Sequence, residues 1–83
     1  ERNRIRMIGA GITLEKEKQF GKFVSLIPYT NVVKGLTLTG FKYPLDHYDF
    51  KGFCSLGVSN EIIAESAEIA FEEGILIVIE ARD

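Results

Sequence analysis

Arg4-Ile5-Arg6-Met7 alternates polar with apolar at period two, the pattern of a strand with one face on a core. Arg2, Arg4 and Arg6 then share a face. That face reads either as a charged edge that discourages strand-to-strand sticking or as a phosphate-facing stripe. Gly9-Ala10-Gly11 supplies a turn, residues 12–16 a second strand, and the alternating charges of Glu15-Lys16-Glu17-Lys18 a solvated hairpin end. Residues 23–27 set Phe23, Ser25 and Ile27 against Val24 and Leu26 and stop at Pro28, which has no N–H to give a neighbouring strand. Tyr29-Thr30-Asn31 leads into a strand from Val32 to Thr39, broken by Gly40. Pro44 pushes Tyr43 toward extended geometry, so residues 41–45 form a bend or an edge. Residues 46–49 read as a loop that contains the single histidine, His47.

Residues 60–74 fit two patterns. Glu61, Glu65, Glu68 and Glu72 recur with helical spacing, Asn60 would cap that helix, and Gly74 would sit just past its end. Ala67, Ile69 and Phe71 also alternate against Glu68, Ala70 and Glu72, as a strand requires. Residues 75–79 are apolar without interruption, which predicts a central strand covered on both faces, and residues 80–83 read as a polar tail without chemistry. Short strands punctuated by Gly, Pro and Asn predict an antiparallel all-β domain.

Composition adds limits. With 83 residues, 46% hydrophobic and 27% charged, the chain is one soluble domain at most, spanning 1–83. A domain this small gains from burying a further apolar surface, so self-association or a neighbouring domain is expected. The chain opens at Glu1 rather than Met and reads as a piece of a longer protein. The net charge of −2 and pI near 5.4 argue against a nucleic-acid partner, and neither a membrane span nor a secretory signal is visible. Cys54 is the only cysteine, which excludes an internal disulfide, suits a reducing cytoplasmic setting, and reads as a buried apolar residue.

Catalytic chemistry is sparse. Gly21-Lys22 lacks the earlier glycine and the following Ser or Thr of a phosphate loop, and one His with one Cys supplies no metal site. Ser59-Asn60 is the polar pair with most to offer. As a local signal it is a turn or cap, yet a carboxamide can also match the ring nitrogen and exocyclic amine of an aminopyrimidine, with the Ser59 hydroxyl beside it. The Tyr43 ring could flank a flat cationic heterocycle and the Thr39 hydroxyl could bond it, or both could simply pack.

Three stretches, Gly35-Leu36-Thr37-Leu38-Thr39-Gly40-Phe41-Lys42-Tyr43-Pro44-Leu45-Asp46, Gly57-Val58-Ser59-Asn60-Glu61 and Gly74-Ile75-Leu76-Ile77-Val78-Ile79, carry a resemblance over nearly the whole chain. They resemble the C-terminal, thiamine-binding domain of bacterial-type thiamine pyrophosphokinases, with Phe41, His47 and Val58 as small departures. The resemblance implies an antiparallel β-sandwich of jelly-roll type and decides residues 61–73 as extended. It implies a domain that dimerises and binds thiamine through Ser59, Asn60, Thr39 and Tyr43, with no catalytic residue of its own. It also implies a full-length enzyme that moves pyrophosphate from ATP to thiamine with Mg²⁺, the ATP and metal being held by an N-terminal α/β domain. The competing expectation is a non-enzymatic sandwich that binds protein or carbohydrate.

Overall fold

The computed structural model describes residues 2–52 and 57–82; Cys54 lies outside the described residues. The strands are β1 Asn3–Ile8, β2 Ile12–Glu15, β3 Phe23–Pro28, β4 Val32–Thr39, β5 Leu45–Lys51, β6 Asn60–Glu61, β7 Ser66–Ala70 and β8 Leu76–Ala81. They form two four-stranded antiparallel sheets, ordered β1-β8-β3-β6 and β2-β7-β4-β5. The first strand pairs with the last, the second with the seventh, the third with the sixth, and the fourth with the fifth. The chain is thus one long hairpin rolled into two layers, the jelly-roll expected from the sequence. The stretch 61–73 is extended and contains β7, as the resemblance implied.

The inner faces meet in a core that includes Val24, Leu26, Val33, Leu36, Leu38, Phe50, Ile69, Leu76 and Val78, all essentially inaccessible to water. Each such side chain contributes about 1.5–3 kcal/mol relative to an exposed position. Val33 and Leu36 are three residues apart, a spacing that would send them to opposite faces of a regular strand. The β4–β5 register slips between them, and Gly35 adopts φ 67°, its N–H donating to Asp49 Oδ1 at 3.1 Å. A bulge therefore brings both apolar residues to the core. On β5 the register slips again, and His47 takes φ 49° while its N–H donates to Thr37 Oγ1 at 3.1 Å.

Four expectations need correction. Residues 46–49 are not a loop but the middle of edge strand β5, and the bulge at His47 explains why their alternation was unreadable. Residues 16–18 form a 3₁₀ turn that carries the chain from one sheet to the other, since β2 and β3 belong to different sheets; no hairpin closes there. β1 is an edge strand and its Arg4 and Arg6 side chains stay 45% and 37% exposed, but they reach inward to Glu80 and are not a purely solvated face. They share the inner face with their register partners Glu80 and Val78, while Ile5 and Met7 stand 64% and 56% exposed on the outer face. Finally, β8 lies within its sheet, yet only Leu76, Val78 and Glu80 are buried. Its Ile77 and Ile79 remain half-covered beside Met7 and Ile5, so among the described residues one face of the strand is left open.

Candidate functional site

One end of the sandwich collects the start of β3, the end of β4, the turn into β5, and β6. Gly40 leaves β4 with φ 81°, in a space where a Cβ would lie 2.5 Å from the Ser66 carbonyl oxygen. Segments 40–43 and 61–63 are then laced together. Lys42 N–H donates to Glu61 O at 2.8 Å, Ile63 N–H donates to Gly40 O at 2.9 Å, and Phe41 bridges Ile62 with both side chains buried.

Asn60 sits beneath this lacing at 1% exposure, its Cα in register with Val24. Its Oδ1 accepts from the backbone N–H groups of Tyr43 and Glu61, each at 2.9 Å, and its Nδ2 donates to Tyr43 O at 2.8 Å. A buried carboxamide without such partners would cost about 1–3 kcal/mol, so this placement is stable only because it is bonded. The acceptor oxygen is filled, and one Nδ2 hydrogen is left over. Ser59 precedes it with φ 55°, a backbone region uncommon for serine, and its N–H donates to Ser25 Oγ at 2.9 Å. That bond holds the exposed Ser59 side chain at the mouth of the same end. Tyr43 is 53% exposed, and Lys42 Nζ lies 5.5 Å from its ring centroid.

Thus Tyr43 and Asn60 are bonded to each other and Ser59 adjoins them. Thr39 is placed apart. It lies on the outer face of the second sheet, in register with Glu68 and on the same face as Thr13, and no described hydrogen bond ties it to the other three. Sequence reasoning missed Ser25, whose hydroxyl holds Ser59 from 34 residues away and carries no local signal.

A second polar cluster lies between the sheets under β1. Glu80, 1% exposed, accepts on Oε2 from Arg4 Nη2 at 2.9 Å and Nε at 3.2 Å, and from Arg6 Nη2 at 2.8 Å. Beside it Arg82 stacks on the Phe20 ring at 4.1 Å and donates to Phe20 O at 2.9 Å. The tail expected to be chemically silent is therefore a structural anchor. Among the described residues no group of three or more His, Cys, Asp or Glu side chains is placed to hold a metal ion. No helix is long and apolar enough to cross a membrane.

This fold, with a partly exposed tyrosine and a left-handed serine framed on a buried carboxamide, defines a small jelly-roll binding domain. The chain belongs to the family of thiamin pyrophosphokinase vitamin B1 binding domains, whose model matches residues 11–76. It is 37% identical to the thiamine pyrophosphokinase of Bacillus subtilis (strain 168), over 100% of this chain and 39% of that protein. The crystal structure of thiamine pyrophosphokinase from Bacillus subtilis superposes with a TM-score of 0.91 at 36% identity, covering 100% of this chain and 39% of that one. That of thiamin pyrophosphokinase from Geobacillus thermodenitrificans gives 0.88 at 35% identity, over 99% and 38%. A thiamin pyrophosphokinase family protein from Enterococcus faecalis gives 0.80 at 29% identity, over 99% and 38%. The chain spans about two fifths of the length of these relatives.

Proposed function

We propose that this chain is the thiamine-binding and dimerising C-terminal domain of a cytoplasmic thiamine pyrophosphokinase, which transfers pyrophosphate from ATP to thiamine and releases AMP. The observation that carries the reading is the Tyr43–Asn60–Ser59 constellation, built at one end of the family's sandwich. ATP and Mg²⁺ belong, in this proposal, to an N-terminal domain of the longer protein. The task of the described residues is to hold the vitamin so that its hydroxyl is presented to that domain, and orientation of this kind accounts for much of the rate in phosphoryl transfer.

The ligand fits the site's electrostatics in one orientation. The Lys42 ammonium already lies over the Tyr43 ring, so a thiazolium cation placed there would meet a like charge, whereas the neutral aminopyrimidine would not. The Ser59 hydroxyl is then the group that meets the pyrimidine edge, with the buried Asn60 behind it and Thr39, on the outer face of the second sheet, as an outlying contact. Calorimetric titration of the full-length protein with thiamine tests the assignment. Ser59→Ala is expected to weaken binding roughly 2- to 10-fold, the effect of one neutral hydrogen bond. Unchanged binding would remove Ser59 from the site. The 83-residue chain alone, supplied with thiamine, ATP and Mg²⁺, is expected to form no thiamine diphosphate. Product from rigorously purified chain would overturn the proposed division of labour.

Dimerisation is proposed to use the open face of the first sheet. Ile5 aligns with Ile79, and Met7 aligns with Ile77, which in turn aligns with Ile27, giving an apolar patch on three adjacent strands. Met7→Glu places a charge in that patch without touching the core. Sedimentation of the full-length protein is expected to show dimer for the parent and monomer for Met7→Glu; an unshifted equilibrium would place the interface elsewhere.

A further inference from the structure

We infer that Asn60 acts on thiamine through Tyr43, as a positioning residue, and that its own contact with the vitamin is the smaller part of its effect; this rests on the thiamine reading above. The carboxamide takes both backbone groups of Tyr43, accepting from its N–H at 2.9 Å and donating from Nδ2 to its carbonyl at 2.8 Å. It thereby behaves as a one-residue neighbouring strand. Pro44 follows and has no N–H, so the next peptide can offer no donor to hold this bend, and the constraint on Tyr43 falls to Asn60 and to Lys42 N–H on Glu61 O. Tyr43 has its backbone pinned inward and its ring half exposed, which is how a rigid platform is made from a turn. Asn60 is positioned to do this and poorly positioned to read a ligand. It is 1% exposed, and its acceptor oxygen already takes two backbone N–H groups. An aminopyrimidine edge needs an acceptor for its amine, and that acceptor is occupied.

The decisive measurement is a thermodynamic cycle on thiamine binding to the full-length protein: parent, Asn60→Ala, Tyr43→Ala and both together. Asn60→Ala is expected to weaken thiamine binding roughly 5- to 150-fold in the parent. In the Tyr43→Ala background the same change is expected to cost less than about 2-fold, because the residue it positions is gone. Penalties that multiply independently would make Asn60 a direct contact and overturn the inference while leaving the thiamine site standing. Thiamine binding that ignores Tyr43, Ser59 and Asn60 alike would instead overturn the site itself. Asn60→Asp guards against loss of fold, being nearly isosteric. An ionised carboxyl there keeps the bonds from the Tyr43 and Glu61 N–H groups but cannot donate to Tyr43 O, so one half of the clamp is lost with little change of shape. Asn60→Asp is therefore expected to weaken thiamine binding in the parent and to cost less than about 2-fold in the Tyr43→Ala background, as Asn60→Ala does. An Asn60→Asp protein that binds thiamine as the parent does would count against the clamp.

Discussion

Replacing Arg4 and Arg6 together by methionine destabilises the domain by about 3–5 kcal/mol, because Glu80 is left charged between the sheets without a counter-ion. The total available to an 83-residue chain is only about 4–12 kcal/mol, so this variant melts roughly 12–40 °C below the parent. Removing either arginine alone costs less, since the other still reaches Oε2. Removing Glu80 alone is also milder. The two guanidinium groups are partly exposed and can turn to water on their aliphatic stems. Adding Glu80→Leu to the double variant removes the stranded charge, and stability is expected to return to near the parent's. A double variant that melts with the parent would show that Glu80 needs neither arginine.

Phe50→Ala should be about as damaging, at roughly 3–5 kcal/mol. The ring is fully buried, its residue aligns with Val33 across the sheet, and it fills the space beside Gly57, where a Cβ would sit 2.7 Å from Phe50 Cζ. Glycine on one side and a phenyl ring on the other are thus matched in volume. Phe50→Leu keeps most of that volume and should cost under about 1.5 kcal/mol. Urea titration separates the two: a lowered midpoint at constant slope reports lost packing, whereas a changed slope would mean that the denatured state had been altered instead.

What could be read from the sequence was what is local and regular. β1 and β3 alternate cleanly and were found nearly to the residue. β5 was missed because a bulge at His47 breaks the alternation that identifies a strand. The face of β1 was inverted for another reason. Period two shows that two faces differ but not which one points inward, and the partner that draws Arg4 and Arg6 inward lies more than 70 residues away. Residues 60–74 carry helical and extended patterns together; pairing with β2 and β4, which no local rule contains, selects the strand. The site was legible as residue types in motifs. That Asn60 would bond to Tyr43 was not, because the two stand 17 positions apart and become neighbours only when the long hairpin rolls up.

The rolled hairpin also sets a timetable. On a ribosome β1 emerges before the other strands described, yet its partner among them is β8, and β2 must wait for β7. Through most of synthesis these leading strands have open edges, and only β4 with β5 can close as soon as both are made. The innermost hairpin is therefore the natural nucleus, with pairing spreading outward toward both termini and β1 docking last. Emergence of β8, rather than of any earlier strand, is what completes the first sheet, and truncations at β8 forfeit the first strand as well as the last.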